Sequence, residues 1–310
     1  MLRVIVLGAA AGGGVPQWNC NCQVCLAVRL GTDGAPLTQS SIAVSADGER
    51  WVLVNASPDI RQQFAQTPRL HPRGGTSRSS PMAAAVLTNA DVDHVAGLLS
   101  LRESQAFPIY ATGRVHGVLN ANSIFNVLSR DLVARRTLKL ELEQPVLDAW
   151  GSDTGVRLEA FTVPGKVALW LENPAEDNFG SVAEDTIGLA LRKDGDGRRL
   201  FYLPGCAAIT PELKARFAPC DTLLFDGTTF TECELVMRGV GEKSAARMGH
   251  LPMAGARGSM ALLADVKLQR RLFIHINNTN PALLPDSPER AEIARRGWEL
   301  ACDGMEFDLV

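Results

Sequence analysis

Short β-branched and apolar runs recur along the chain, each closed by glycine, proline or a polar turn. Residues 2–7, 41–44 and 51–54 predict strands, the last ending at Asn55-Ala-Ser57-Pro58, and residues 59–66 a short helix. Residues 67–81 hold three Pro, two Gly, three Arg and three Ser without periodicity, which predicts a loop. Residues 83–87 are wholly apolar, as in a strand buried on both faces. They run into Thr88-Asn-Ala-Asp-Val-Asp-His94, after which Val95, Leu98, Leu99 and Leu101 begin a helical stripe. Strands are expected at 108–111, 156–163, 187–191, 200–203, 222–225 and 272–276. Helices are expected at 115–128, 259–263 and 287–302. Strands and helices mixed without strict alternation favour two sheets covered by helices over a doubly wound sheet. No linker, repeat or low-complexity tract divides residues 1–310, so a single domain is expected.

Composition narrows the partners. The 31 basic and 34 acidic side chains give a net charge of −3, which announces no basic face for nucleic acid. No apolar run approaches the roughly 18 residues of a membrane-spanning helix, so no membrane insertion is expected. The opening segment has one basic residue and runs straight into Gly12-Gly13-Gly14, which fits a first strand better than a signal peptide. That glycine run lacks the spacing and the following amphipathic helix of a dinucleotide-binding turn. Three of the seven cysteines sit in Cys20-Asn-Cys22-Gln-Val-Cys25, a spacing suited to a metal in a reducing compartment, so the cytoplasm is the expected location. Three thiolates close most of a tetrahedral sphere, which predicts a structural zinc.

Only five histidines are present: His71, His94, His116, His250 and His275. His71 lies in the polar loop and His116 on a helix flank, where each reads as structural or solvated. Asp91, Asp93 and His94 gather where a buried strand gives way to a helix. A helix N-cap accounts for one of these carboxylates, but poorly for two with an adjoining histidine. His275 is expected at a strand end, alternating with Ile274 and Ile276, and with Asp93 and His94 it makes a set of two imidazoles and one carboxylate. Asp226 ends another strand, and His250 sits in the turn Met248-Gly-His-Leu-Pro252.

Residues 88–98 resemble the Thr-His-x-His-x-Asp-His-x-x-Gly motif of the metallo-β-lactamase superfamily, with Asn89 and Asp91 at the two leading histidine positions. With the Cys20–Cys22–Cys25 knuckle, Val163-Pro-Gly-Lys166, Tyr202-Leu-Pro-Gly-Cys206, Phe225-Asp-Gly-Thr-Thr-Phe230 and Ile274-His-Ile-Asn-Asn-Thr-Asn-Pro281, the whole chain resembles that superfamily's pyrroloquinoline quinone biosynthesis B branch. The resemblance implies an αββα sandwich with its site on one rim. It also implies loss of the first metal site, since Asn89, Asp91 and Lys166 replace histidines and Cys206 replaces a bridging aspartate. The retained set, Asp93, His94 and His275, is that of Fe(II)/O2-dependent oxygenases.

The activity so implied is hydroxylation of a tyrosine in a Glu-Tyr dipeptide cut from a precursor. In that reading Asp91 and Asp226 serve as an extra ligand or as bases, His250 orients substrate or shuttles protons, and Lys166 pairs with a substrate carboxylate. Asn55 and Ser57 act at most through other residues, and Asn278 or a water completes the zinc sphere of Cys20, Cys22 and Cys25. The alternatives are a non-catalytic carrier that holds the quinone or its precursor for transport to the periplasm, and a metal-dependent hydrolase. Small-molecule partners are expected, with a homodimer admissible.

Overall fold

The computed structural model describes every residue except Thr76, so the loop expected at 67–81 lies outside the described residues at that position. In chain order the strands are β1 (Arg3–Gly8), β2 (Ser41–Ser45), β3 (Trp51–Val54), β4 (Met82–Val86), β5 (Ile109–Ala111), β6 (Arg135–Thr137), β7 (Glu143–Leu147), β8 (Asp153–Thr162), β9 (Ile187–Lys193), β10 (Leu200–Leu203), β11 (Thr222–Asp226), β12 (Arg270–Ile274), β13 (Glu299–Leu300) and β14 (Glu306–Asp308). They form two sheets of seven, ordered β14-β1-β2-β3-β4-β5-β6 and β13-β12-β11-β10-β9-β8-β7. Each sheet is half antiparallel and half parallel. Strands β14 to β3 and β7 to β10 pair antiparallel, whereas β3 to β6 and β10 to β13 pair parallel.

Side-chain alternation explains the layering. On β1, Val4 and Val6 enter the core between the sheets, where they join Val44, Val54, Leu189, Leu191, Tyr202 and Leu224. Ile5 and Leu7 point the other way and pack with Ile60, Val115 and Leu119 of the helices Ile60–Gln66 and Gly113–Ala121. On β11, Leu224 faces inward, while Leu223 and Phe225 pack with Met260, Ile293 and Trp298 of the opposite outer layer. Each such buried aliphatic side chain contributes about 1.5–3 kcal/mol of transfer free energy. Both sheets are thereby covered on both faces, and the αββα sandwich expected from the sequence is present.

Some boundaries differ. The final helix runs only over Pro288–Arg295, because Ser287 caps its start and Gly297, at φ 73°, turns the chain into β13. The helix expected at 115–128 is Gly113–Ala121 followed by a 3₁₀ turn, Ser123–Val127. The short polar strands β6 and β14 carry no apolar alternation and were not legible. The strand expected to reach residue 276 stops at Ile274, and His275 takes a left-handed conformation (φ 59°).

The chain ends meet. Arg3 lies opposite Asp308 across β1 and β14, with Nε donating to Oδ1 at 3.0 Å. Just before β14, Asp303 accepts the main-chain N–H groups of Ala9 (2.9 Å) and Thr38 (2.7 Å), pinning the loop that follows β1. The parallel strands β4, β10, β11 and β12 deliver their carboxyl ends to one rim, the usual place for a site in such sheets. Among the described residues no helix is long and apolar enough to cross a membrane.

Candidate metal centre

Three side chains converge at that rim. Asp93 and His94 come from the short helix Val92–Val95 after β4, and His275 from the turn after β12. Asp93 Oδ2 lies 3.0 Å from His275 Nε2 and 3.9 Å from His94 Nε2, and one ligand atom from each of the three fits within 4.8 Å of the others. The left-handed backbone at His275, costly for a residue with a Cβ, aims this ring; neighbouring Ile276 is tied to the first sheet's side by its N–H to Ala9 O at 2.9 Å.

Each imidazole is oriented by its other nitrogen. Asn89 Oδ1 accepts the Asp91 N–H (3.1 Å), which identifies it as the oxygen, and it lies 2.7 Å from His94 Nδ1. That nitrogen therefore carries the proton, and His94 Nε2 is buried with no hydrogen-bond partner. Burial pushes the His94 pKa down to about 4, so the ring is the neutral, metal-binding form.

The second ring is held through Thr228. Its hydroxyl donates its one proton to Asp226 Oδ1 (2.7 Å), so it accepts from His275 Nδ1 (2.9 Å) and leaves Nε2 directed at Asp93. Burial works to lower the His275 pKa, but the Asp93 carboxylate outweighs it and holds it above the ordinary value. Burial likewise opposes Asp93, yet the two imidazoles keep its carboxyl well below the usual range. An orphaned Nε2, a second Nε2 and a carboxylate oxygen facing one point fit a divalent metal.

Asp226, expected as an extra ligand or a base, sits in a closed hydrogen-bond network. Its oxygens accept from Thr228 N–H (3.0 Å) and O–H, from Cys206 N–H (3.0 Å) and from His250 Nδ1 (2.6 Å), which fills its four lone-pair positions. Burial raises its carboxyl, but His250 more than offsets this and leaves the pKa lowered. Its work is to orient His250 directly and His275 through Thr228. Asp226, His250 and His275 also bring one ligand atom each within 4.8 Å of the others, a second candidate cluster that shares His275.

Asp91, Lys166 and His250 line a cavity of about 240 Å³ in front of Asp93, His94 and His275. Asp91 makes no side-chain cap on its helix; its Oδ1 accepts the Leu169 N–H at 3.1 Å. Burial, then the neighbouring Asp93, push its pKa up to about 6. Lys166 is already ion-paired to Glu172, which also accepts from Arg247 Nη2 at 2.8 Å, so a substrate carboxylate would have to displace that partner. Asn55 acts through others, as expected: its Oδ1 accepts from Thr88 N–H at 2.9 Å, and Thr88 Oγ1 lies 3.4 Å from His94 Nδ1. Ser57 bonds Gln63, away from the metal ligands. His71 is exposed; His116 is buried, with Nε2 on Arg136 O at 3.0 Å.

The sequence reading missed Asn89 and Thr228 as orienters and Leu169 as part of the cavity wall. The polar run Asp226-Gly-Thr-Thr229 was the available signal for Thr228.

The cysteine cluster stands apart from this cavity. The thiols of Cys20, Cys22 and Cys25 gather within 4.8 Å at the start of helix Gln23–Leu30. Asn278, three residues beyond His275, presents Nδ2 to Cys25 Sγ (3.2 Å) and its main-chain oxygen to Cys22 Sγ (3.5 Å). Burial pushes the Cys22 thiol up to about 12. It also opposes Cys20, which the Cys22 N–H and neighbouring thiols nevertheless hold below its ordinary value.

Comparison with known proteins agrees with this architecture. Residues 50–276 match the family model described as a beta-lactamase superfamily domain. The chain is 51% identical over 310 residues to coenzyme PQQ synthesis protein B of Methylorubrum extorquens, covering 99% of this chain and all of that protein. It is 50% identical over 309 residues to the protein of the same name from Rhodopseudomonas palustris, covering the whole of both. The crystal structure of Zn(2+)-bound PqqB from Methylobacterium extorquens superposes with a TM-score of 0.93 at 50% identity over 99% of each chain. A diphosphatase of the PhnP family, at 19% identity, TM-score 0.68 and coverage of 99% of this chain and 96% of its own, shares the fold. The ligand positions, the cysteine knuckle and these full-length matches lead to one conclusion: the chain belongs to the coenzyme PQQ synthesis protein B family of the beta-lactamase superfamily.

Proposed function

We propose that the protein acts in coenzyme PQQ biosynthesis as a mononuclear Fe(II)-dependent oxygenase that hydroxylates a tyrosine ring in a peptide-derived Glu-Tyr intermediate. The observation that carries this reading is the set of two imidazoles and one carboxylate formed by Asp93, His94 and His275, in which His94 Nε2 is buried without a hydrogen-bond partner. Fe(II) held by two imidazoles and one carboxylate supplies O2 activation at its remaining positions. One oxygen atom enters the ring; the other leaves as water, with two electrons and two protons from an external reductant.

The chain's own groups set up the substrate. Asp91 keeps Oδ1 on the Leu169 N–H and has its second oxygen for the phenolic proton. His250, with Nδ1 committed to Asp226, leaves Nε2 to hold or relay a proton at the cavity wall. The hydrolase alternative has little support, because Asn89 and Asp91, the replacements at the first metal site, are respectively an orienter of His94 and a partner of Leu169.

The test is anaerobic Fe(II) loading followed by oxygen uptake with a Glu-Tyr dipeptide and mass analysis of the product. Oxygen consumption matched by a product one oxygen atom heavier is expected. Stoichiometric PQQ binding without oxygen consumption would replace this reading with the carrier, and phosphodiester hydrolysis at two bound metals would replace it with the hydrolase.

A further inference from the structure

Two lysines line the metal cavity, Lys166 and Lys243, and they differ in what they can offer a ligand. Lys166 is ion-paired to Glu172, whose other oxygen accepts from Arg247 Nη2 at 2.8 Å. Both members of that pair are largely withdrawn from water, at 13% and 7% side-chain exposure. The stem of Lys166 is confined as well: a Cβ at Gly249 would lie 2.8 Å from its Cγ. A substrate carboxylate that took Lys166 would leave Glu172 buried against a single cation, so the exchange trades one ion pair for another at a cost.

Lys243 is free of such ties. It is half-buried on the cavity wall, and among the described residues it has no hydrogen-bond or ion-pair partner. Its backbone is nevertheless fixed. Ser244 caps the one-turn helix Ala245–Met248, its Oγ accepting the Arg247 N–H at 3.2 Å. Glu232 takes the next two N–H groups, Ala245 on its main-chain oxygen (2.8 Å) and Ala246 on Oε1 (3.1 Å). The segment so held presents Lys243, Met248 and His250 to the cavity.

Charge balance points the same way. Lys166 and Glu172 cancel, and a divalent ion at Asp93, His94 and His275 would offset the carboxylates of Asp91 and Asp93. Lys243 is left as the uncompensated charge of the wall, beside the apolar surface of Leu169 and Met248. An aromatic ligand with an anionic group matches that combination.

We propose that Lys243, and not Lys166, anchors a carboxylate of the substrate. This rests on the Glu-Tyr reading above and deepens it. The excised dipeptide carries a side-chain and a terminal carboxylate, whereas in an uncut chain the terminal one is tied up in a peptide bond.

The test is calorimetric titration of the full-length Zn2+-loaded protein with Glu-Tyr and with Gln-Tyr amide, in which both carboxyl groups are amides. The wild-type protein is expected to bind the acid about tenfold more tightly. In Lys243→Met that ratio should fall below about twofold, and Lys243→Arg should restore most of it; circular dichroism checks that each variant is folded. The singly amidated Gln-Tyr and Glu-Tyr amide tell which carboxylate is held. Equal affinity for acid and amide, a ratio unchanged in folded Lys243→Met, or no measurable binding of the dipeptide would each overturn the anchor. A ratio lost in Lys166→Met but kept in Lys243→Met would overturn it in favour of Lys166. The two readings fail separately. A Lys243-dependent preference without oxygen-dependent turnover removes the hydroxylase and leaves the anchor, and turnover without that preference does the reverse.

Discussion

Asn89 Oδ1 lies 2.7 Å from Nδ1 of His94, so the residue standing at a lost histidine position of the superfamily motif now fixes the ring of a retained one. One metal position has in effect become the support of the other. Asn89→Ala should leave the fold intact and weaken metal affinity roughly 10–100-fold, the usual effect of removing a partner that orients a ligand. Competition with a chromogenic chelator measures this, and unchanged affinity would show that Thr88 and the surrounding packing suffice to hold His94.

His275 couples its role to its backbone. His275→Ala and His275→Gly should both abolish metal binding and turnover, since each removes one of three ligands. At φ 59° glycine is at ease and alanine is not, so the glycine variant should be the more stable by about 1 kcal/mol. Denaturant titration of the two metal-free variants reads the difference; an alanine variant as stable as the glycine variant would mean that the turn relaxes once the ring is gone.

Glu172 links Lys166, a residue of the cavity wall, to Arg247. Its hydrogen bond from Arg247 and its pairing with Lys166 hold its pKa down to about 2, against 4.5 ordinarily. Because the folded value is the lower one, its stabilisation is present above pH 4.5 and is lost as pH falls through about 2. Glu172→Gln should therefore melt below the wild type at neutral pH, with the gap closing in acid. A gap that does not change with pH would rule out the ionic link.

For the cysteine cluster, Cys22→Ser should lower the melting temperature and soluble yield while the folded remainder keeps its turnover per active-site metal. A closed thiolate site contributes to folding rather than to chemistry. Normal melting with reduced turnover per metal would reverse that assignment.

The layers and the gathering of Asp93, His94 and His275 at one rim were legible in the sequence because apolar alternation and chemical rarity mark them. Residues 83–87 read as a strand buried on both sides, and five histidines in 310 residues left few choices. The supporting residues were less visible. Thr228 is one threonine among many until Asp226, His250 and His275 close around it, and Lys166 looks available until Glu172 is seen beside it. Those relations join residues tens of positions apart and depend on loops whose course no local periodicity records. The left-handed turn at His275 was hidden for another reason: its flanking isoleucines imitate a continuing strand.

The tail that pairs with β1 and anchors Ala9 and Thr38 through Asp303 has a consequence for biogenesis. During synthesis Asp93 and His94 leave the ribosome early and His275 late, and the loop bordering them is pinned only when residue 303 arrives. The rim is therefore completed only after residue 303 has been made. A nascent chain stalled before that point would present β1 as an open edge ready to pair with another molecule.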